Sequence, residues 1–400
     1  MVLPLRQHVG AVCEPLVKKG SRVKVGQKIA DSNSAISAPI HASISGVITE
    51  ISTSATPTGD EVQSIMIKSD GGDKWVKTKG VDPERASREE ILAKVRECGV
   101  VGLGGAAFPT HVKLKPPEEK KIDVVLINGV ECEPYITADH RLMLEEGEKI
   151  IEGARIIARV LGAKKVVVTI EEDKPDAIKN IEKLGGENIE VVSLKTRYPQ
   201  GDERHLIKAV LSREVPAGGL PFDVGVVVQN VGTAKAIRDA IYDGIPLVER
   251  VVTVTGDVQE PKNLLVRIGT SFSQLIDECG GPRGTIEKVI SGGPMMGIAQ
   301  YKDVPVTKGT NCVLVFNKQR VKKEEELLCV RCGRCIEACP MGLMPSMLVA
   351  LIRKKKFEVC LDYNIMSCDE CGCCAYVCPS KIPIIQLIKE AKTVLSSKKK

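Results

Sequence analysis

Aromatic residues are scarce in this chain of 400 residues, at 3% with one Trp and five Phe. Interleaved stacking platforms for single-stranded nucleic acid are therefore missing. No apolar run approaches the roughly 18 residues that a spanning helix needs. The opening stretch MVLPLRQHVG carries Pro4 and Arg6 but no apolar signal core. The sequence thus predicts neither export nor a transmembrane segment of its own. One-signed charge is also lacking over most of the length, because the net charge of +6 arises in residues 320–400, with 15 Lys/Arg against 9 Asp/Glu. A basic region suggests nucleic acid or an anionic surface, but this one also holds ten of the fifteen cysteines. Metal clusters on thiolates supply offsetting negative charge, and no nucleic-acid partner is expected. The remainder, 43% hydrophobic and 27% charged, is the composition of a globular protein. Its length implies three or four domains.

Fifteen cysteines without an export signal argue against a disulfide framework, since tight cysteine runs in reducing compartments usually mean metal. Cys329, Cys332, Cys335 and Cys339 precede Pro340, and Cys368, Cys371, Cys374 and Cys378 precede Pro379. Each is the C-x-x-C-x-x-C-x-x-x-C-P run of bacterial ferredoxins, in which the fourth cysteine serves the other cluster. The expected ligand sets are crossed: Cys329, Cys332, Cys335 and Cys378 for one [4Fe-4S] cluster, and Cys368, Cys371, Cys374 and Cys339 for the second. A zinc site wants two C-x-x-C pairs and four ligands, which eight cysteines in two matched runs exceed. Cys373 is the spare, and Cys13, Cys98, Cys132, Cys279, Cys312, Cys360 and Cys373 are expected as small buried residues. Apolar positions Met347, Leu348, Leu351 and Ile352 at helical spacing make this module helix-rich.

Ahead of the clusters, residues 10–52 read as short strands broken by turns, like a biotinyl or lipoyl sandwich. Those carriers expose a lysine between their halves, where this chain has DSNSAIS (31–37), so a scaffolding role is expected. Ser87 and Glu90 form a capping box for a helix leading to the loop GLGGAAFPTHVK (102–113). That loop superficially satisfies the dinucleotide fingerprint, but a helix precedes it and Pro109 follows. Its backbone N–H groups still offer an anion cradle. Val/Ile runs at 123–128, 165–170 and 223–229 alternate with helical stretches, which predicts a largely parallel sheet. Three loops, at 128–134, 198–204 and 229–233, fall at carboxyl ends of strands, where ligands gather, although each also reads as turn chemistry. Residues 250–281 and KVISGGPMMG (288–297) resemble a β-grasp module, with Met295 and Met296 expected in packing.

The segments VGLGGAAFPTHVKL, INGVECEPYITADHRLM, YPQGDE, PFDVGVVVQN, VTVTGDV and GGPMMG, with the two cysteine runs, resemble one family. It is the C subunit of Rnf-type ion-translocating ferredoxin:NAD oxidoreductases, and the chain is also similar to the NADH-binding flavin subunit of respiratory complex I. The resemblance implies a multidomain α/β chain with four domains. These are a small β barrel-sandwich over 1–75, a Rossmann-like FMN/NADH-binding α/β domain over 80–248, a β-grasp (SLBB-like) domain over 249–305 and a helical two-cluster ferredoxin domain over 320–400. It implies that Gly102, Gly104, Gly105, Lys113, Asn128, Glu131, Tyr198, Gly201, Asp202, Glu203 and Asn230 surround FMN. Phe108 and Glu133 would lie near the nicotinamide nucleotide, Lys113 would offer charge to the flavin, and Glu131 and Glu133 would orient the nicotinamide amide or ribose. Ala107 stands where family members usually carry Gly, and Val130 where complex I carries an acid. The implied function is a peripheral subunit on the cytoplasmic face of the cell membrane. It exchanges electrons between NAD(H) and other subunits of an ion-translocating complex through FMN and two [4Fe-4S] clusters. A cobalamin-reductase-like flavoprotein and a flavin-free, cluster-bearing docking scaffold are the alternatives. Lys398, Lys399 and Lys400 either meet anionic lipid or an acidic partner, or stay solvated.

Overall fold

In the computed structural model, residues 1–322 and 324–397 are described, so the three terminal lysines lie outside the described residues. The first unit holds strands β1 (Val2–Pro4), β2 (Glu14–Pro15), β3 (Arg22–Val23), β4 (Lys28–Asp31), β5 (Ile40–His41), β6 (Gly46–Ala55) and β7 (Glu61–Ser69). They form two sheets, ordered β1-β7-β6-β3 and β2-β4-β5, with Leu3, Ile29, Ile40, Ile48 and Ile65 in the buried core. The segment at 31–37 is tied down rather than free to swing. Asp31 accepts two hydrogen bonds from the Arg96 guanidinium, at 3.0 and 3.3 Å, and Ser32 O accepts a third.

Arg96 belongs to α1 (Arg88–Glu97), whose expected capping box is present: Ser87 Oγ accepts from Glu90 N, and Glu90 accepts from Ser87 N. The second unit continues with α2 (Thr110–Lys113), β8 (Val124–Gly129), α3 (Ala138–Glu145), α4 (Gly147–Leu161), β9 (Lys165–Glu171), α5 (Pro175–Gly185), β10 (Glu190–Leu194), α6 (Glu203–Leu211), β11 (Val226–Asn230) and α7 (Val231–Arg238). All four strands are parallel, in the order β10-β9-β8-β11. Chain order reverses between β8 and β11, and Asn128 stands opposite Asn230 at their carboxyl ends. Such a switch point opens the crevice in which parallel sheets hold ligands.

The third unit contains β12 (Glu249–Gly256), β13 (Lys262–Arg267), α8 (Phe272–Glu278), β14 (Ile286–Ser291), β15 (Ile298–Gln300) and β16 (Cys312–Asn317), in the order β13-β12-β16-β14-β15. The central strand β16 pairs parallel with β12 and antiparallel with β14, so this sheet runs past the expected boundary at residue 305. Its place was hidden because a strand joining a sheet after a long excursion leaves no local mark.

The last unit is helical, with α9 (Arg334–Glu337), α10 (Pro345–Arg353), α11 (Cys373–Tyr376) and α12 (Ile384–Ser397). It is an internal repeat, each half running from a cysteine loop through a short helix to a longer one. The backbone repeats too: Arg331 and Glu370 have φ of 54° and 57°, and Gly333 and Gly372 have φ of 80° and 83°. Leu348, Ile352, Ile365, Ile384 and Ile388 fill the core between the halves. Among the described residues, no helix is long and apolar enough to cross a membrane.

Candidate nucleotide and cluster sites

The glycine loop is a closed hairpin-like excursion, pinched at its base where Val101 bridges Pro109 and Gly102 N donates to Phe108 O at 2.8 Å. Gly104, Gly105 and Ala106 form its exposed tip, while Phe108 is half-buried. Gly105 has φ of 126°, which suits only glycine, and Ala107 has φ of 48°, a left-handed conformation that a Cβ strains. The position where relatives of this type are expected to carry Gly is therefore one where the backbone favours it. Leu103 N donates to Thr233 Oγ1 at 2.8 Å, which seats the loop on the start of α7.

Asn230 caps α7 through its Oδ1, accepting from Gly232 N at 2.8 Å and Thr233 N at 3.3 Å. Its Nδ2 donates to Asp139 Oδ2 at 2.6 Å. Asn128, across the switch point, donates to Gly201 O at 2.9 Å and accepts from Val130 N at 3.0 Å. Asp202 caps α6 by accepting from Arg204 N and His205 N, and Lys113 forms an ion pair with Glu203. Pairwise contacts thus link several of the expected flavin-site residues: Asn128 with Gly201, Lys113 with Glu203, and Gly104, whose added Cβ would lie 3.2 Å from Asn230 Cβ.

The two expected nicotinamide-orienting carboxylates are already engaged. Glu131 accepts from Asp139 N at 2.9 Å and His140 N at 3.2 Å, which places it at the N-terminus of α3. Burial, and then repulsion from Asp139, raises its pKa. Glu133 Oε1 accepts from Met295 N at 2.6 Å and Met296 N at 3.1 Å. A Cβ at Gly293 would overlap the Glu133 side chain, so this glycine admits the carboxylate. Burial raises the Glu133 pKa as well. Val130 points the other way, packing in an apolar cluster with Val124, Leu126 and Leu206. Sequence reasoning missed Asp139, Thr233, Arg250 and Lys308, whose roles come from pairings far along the chain.

Cys339, Cys368, Cys371 and Cys374 line one small cavity with Leu343, Ile385 and Ile388. Cys373 is not among its walls and is half-buried, as is Cys132. Cys13, Cys98, Cys279, Cys312 and Cys360 are buried, as expected of small core residues. In the other set, Cys329 and Cys332 are exposed, Cys335 is half-buried and Cys378 is buried. The cavity adjoins the 198–203 segment and the 293–297 loop. Tyr198 Oη donates to Cys371 O at 2.5 Å, and Gly372 lies so close to the Met295 carbonyl that an added Cβ would sit 2.7 Å from it. His205 Nε2 is 3.5 Å from Asp369 Oδ2, and this pairing raises the histidine pKa.

Four family models match consecutive stretches: RnfC barrel sandwich hybrid domain over residues 1–72, Nuo51 FMN-binding domain over 95–239, SLBB domain over 251–299 and 4Fe-4S dicluster domain over 328–382. The C subunit of the proton-translocating ferredoxin:NAD(+) oxidoreductase complex of Clostridium ljungdahlii is 49% identical over 399 residues, covering 98% of this chain and 87% of the relative. The Na(+)-translocating counterpart from Acetobacterium woodii is 42% identical over 404 residues, covering 98% and 90%. Among solved structures, an NAD+-reducing [NiFe]-hydrogenase in the H2-reduced state matches with a TM-score of 0.53 at 18% identity. That match covers 79% of this chain and 62% of the other, and it shows likeness of fold alone. With a full-length relative at such identity and the four family models in this order, the chain belongs to the C subunits of ion-translocating ferredoxin:NAD(+) oxidoreductase complexes.

Proposed function

We propose that this chain is the peripheral subunit that exchanges electrons between NAD(H) and the membrane partners of an ion-translocating oxidoreductase, at the cytoplasmic face of the membrane. The observation that carries the reading is the direct packing of one cysteine set against the nucleotide crevice, through Tyr198 on Cys371 O and Met295 on Gly372. We read the four units as barrel-sandwich, Rossmann-like flavin domain, β-grasp domain and two-cluster ferredoxin domain, the third extended to take in β16.

The donor sets suit the groups assigned to them. Four sulfurs around one cavity fit a cubane held by Cys339, Cys368, Cys371 and Cys374, leaving Cys329, Cys332, Cys335 and Cys378 for the other. Exposed glycine-loop amides fit a phosphorylated flavin. Bound FMN supplies the exchange between two-electron hydride and single electrons that neither NAD(H) nor a cluster can make alone.

Around it, Gly102, Gly104 and Gly105 allow close backbone approach, while Asn128 holds the Gly201 carbonyl and so fixes the 198–203 segment. Lys113, balanced by Glu203, sets the local charge. Glu133 holds the 293–297 loop against the second cysteine set, and Phe108, half-buried at the base of the glycine loop, is the residue we assign to the nicotinamide nucleotide. The inner set abuts the crevice and the outer set, with Cys329 and Cys332 exposed, reaches the surface where a membrane partner of the complex can dock.

The test is anaerobic reconstitution of the full chain with iron, sulfide and FMN, followed by NADH-dependent reduction of a one-electron dye. We expect FMN retention and dye reduction that disappears when FMN is left out. A chain that keeps its iron but retains no flavin and reduces no dye would instead be the flavin-free docking scaffold.

A further inference from the structure

Two cations are buried beneath the glycine loop, and their hydrogen-bond acceptors among the described residues are main-chain carbonyls. Arg250, 6% exposed, donates from Nη1 to Lys308 O at 2.5 Å and from Nη2 to Leu103 O at 3.2 Å, inside the loop. Lys308, 1% exposed, donates from Nζ to Pro39 O at 2.6 Å and Gly99 O at 2.7 Å, at the foot of the loop. Gly309 lies against the loop as well, since a Cβ there would be 3.4 Å from Gly105 O. Burying an ammonium and a guanidinium with no carboxylate among their hydrogen-bond acceptors is costly, because carbonyl dipoles recover only part of the lost hydration. Burial accordingly pulls Lys308 down to about 8 and Arg250 down to about 10, with Asp139 the only acid offsetting the latter. Carbonyl dipoles and the nearby carboxylates offset this burial only in part, and an anion bound close by would offset more of it.

The orientation of the loop supplies the second half of the argument. A trans peptide points its C=O and N–H in opposite directions. With the Leu103 carbonyl turned inward onto Arg250, the Gly104 N–H faces the open side of the loop, at its exposed tip. A Cβ at Gly104 would lie 3.2 Å from Asn230 Cβ, so that amide stands beside the start of α7.

We infer that Arg250 and Lys308 are positioning residues for a phosphomonoester, the phosphate of FMN: they hold the glycine loop with its amide presented outward, and they supply positive charge behind it. This rests on the flavin reading above and specifies which part of the flavin the third unit serves.

The test compares FMN with riboflavin, which lacks the phosphate, by quenching of flavin fluorescence on the full reconstituted chain and on its Arg250→Gln and Lys308→Met variants. Lys308→Met leaves the Lys308 carbonyl on Arg250, so it removes charge with the least disturbance of the loop. FMN affinity is expected to fall about tenfold or more in each variant, with riboflavin affinity unchanged within about twofold. Equal weakening of both flavins would mean a merely structural role and overturns the inference, as does unaltered FMN affinity in both variants. An unsubstituted chain that binds neither flavin overturns the parent reading together with this one.

Discussion

Cys339 and Cys373 are both half-buried, yet only Cys339 shares a cavity with Cys368, Cys371 and Cys374. Cys339→Ala removes one of four sulfurs from that cavity, whereas Cys373→Ala removes a bystander. Iron analysis of anaerobically reconstituted variants should show a loss approaching about four irons per chain for Cys339→Ala and none for Cys373→Ala. Equal losses would mean that the ligand register is different. This distinction is legible in the sequence because the fourth cysteine of each run is marked by proline, and Cys373 has no such mark. Other residues give no such sign. Val130 reads as a missing carboxylate in a binding loop, but its side chain is drawn into the apolar cluster beneath β8, where an acid would be desolvated.

At the scale of elements, α7 shows how a cap does two jobs. Asn230 closes the first turn of the helix and also holds Asp139, whose burial raises its pKa. Asn230→Ala leaves the Gly232 and Thr233 amides uncapped and the Asp139 carboxyl without its amide donor. A loss of about 1–2 kcal/mol is expected from the cap, more if Asp139 must be charged. Chemical unfolding at two pH values measures it, and the loss should be larger at high pH. The sign follows from linkage: the Asn230 bond favours charged Asp139, so removing it raises the native-state pKa further. That carboxyl then binds a proton in the folded state over a wider range above its unfolded pKa, and native stability declines across that range. A variant as stable as the parent at both values would show that the bond contributes nothing. Strands β8, β9 and β11 were readable as Val/Ile runs, because a parallel sheet buries both faces. By contrast β10 (EVVSL) is only partly buried, and β16 joins its sheet from a distance, so neither announced itself.

The whole molecule places its chemistry at boundaries between units. The glycine loop of the second unit rests on Arg250 and Lys308 of the third, the Glu133 carboxylate holds the third unit's methionine loop, and that loop touches the cysteine loop of the fourth. Motif spacing named the candidate residues, since each motif is a local string. It did not show that Glu133 and Tyr198 are occupied by neighbouring units, because those partners lie far along the chain. Long-range pairing also brings residues of the third and fourth units against segments whose motifs lie in the second. The account depends on eight cysteines holding two cubanes, one of them against the nucleotide crevice. The most direct measurement is low-temperature paramagnetic resonance of the oxygen-protected, reconstituted chain after dithionite, with metal analysis of the same sample. The account predicts about eight irons per chain and signals from two reduced clusters; a chain that carries zinc and stays silent would contradict it.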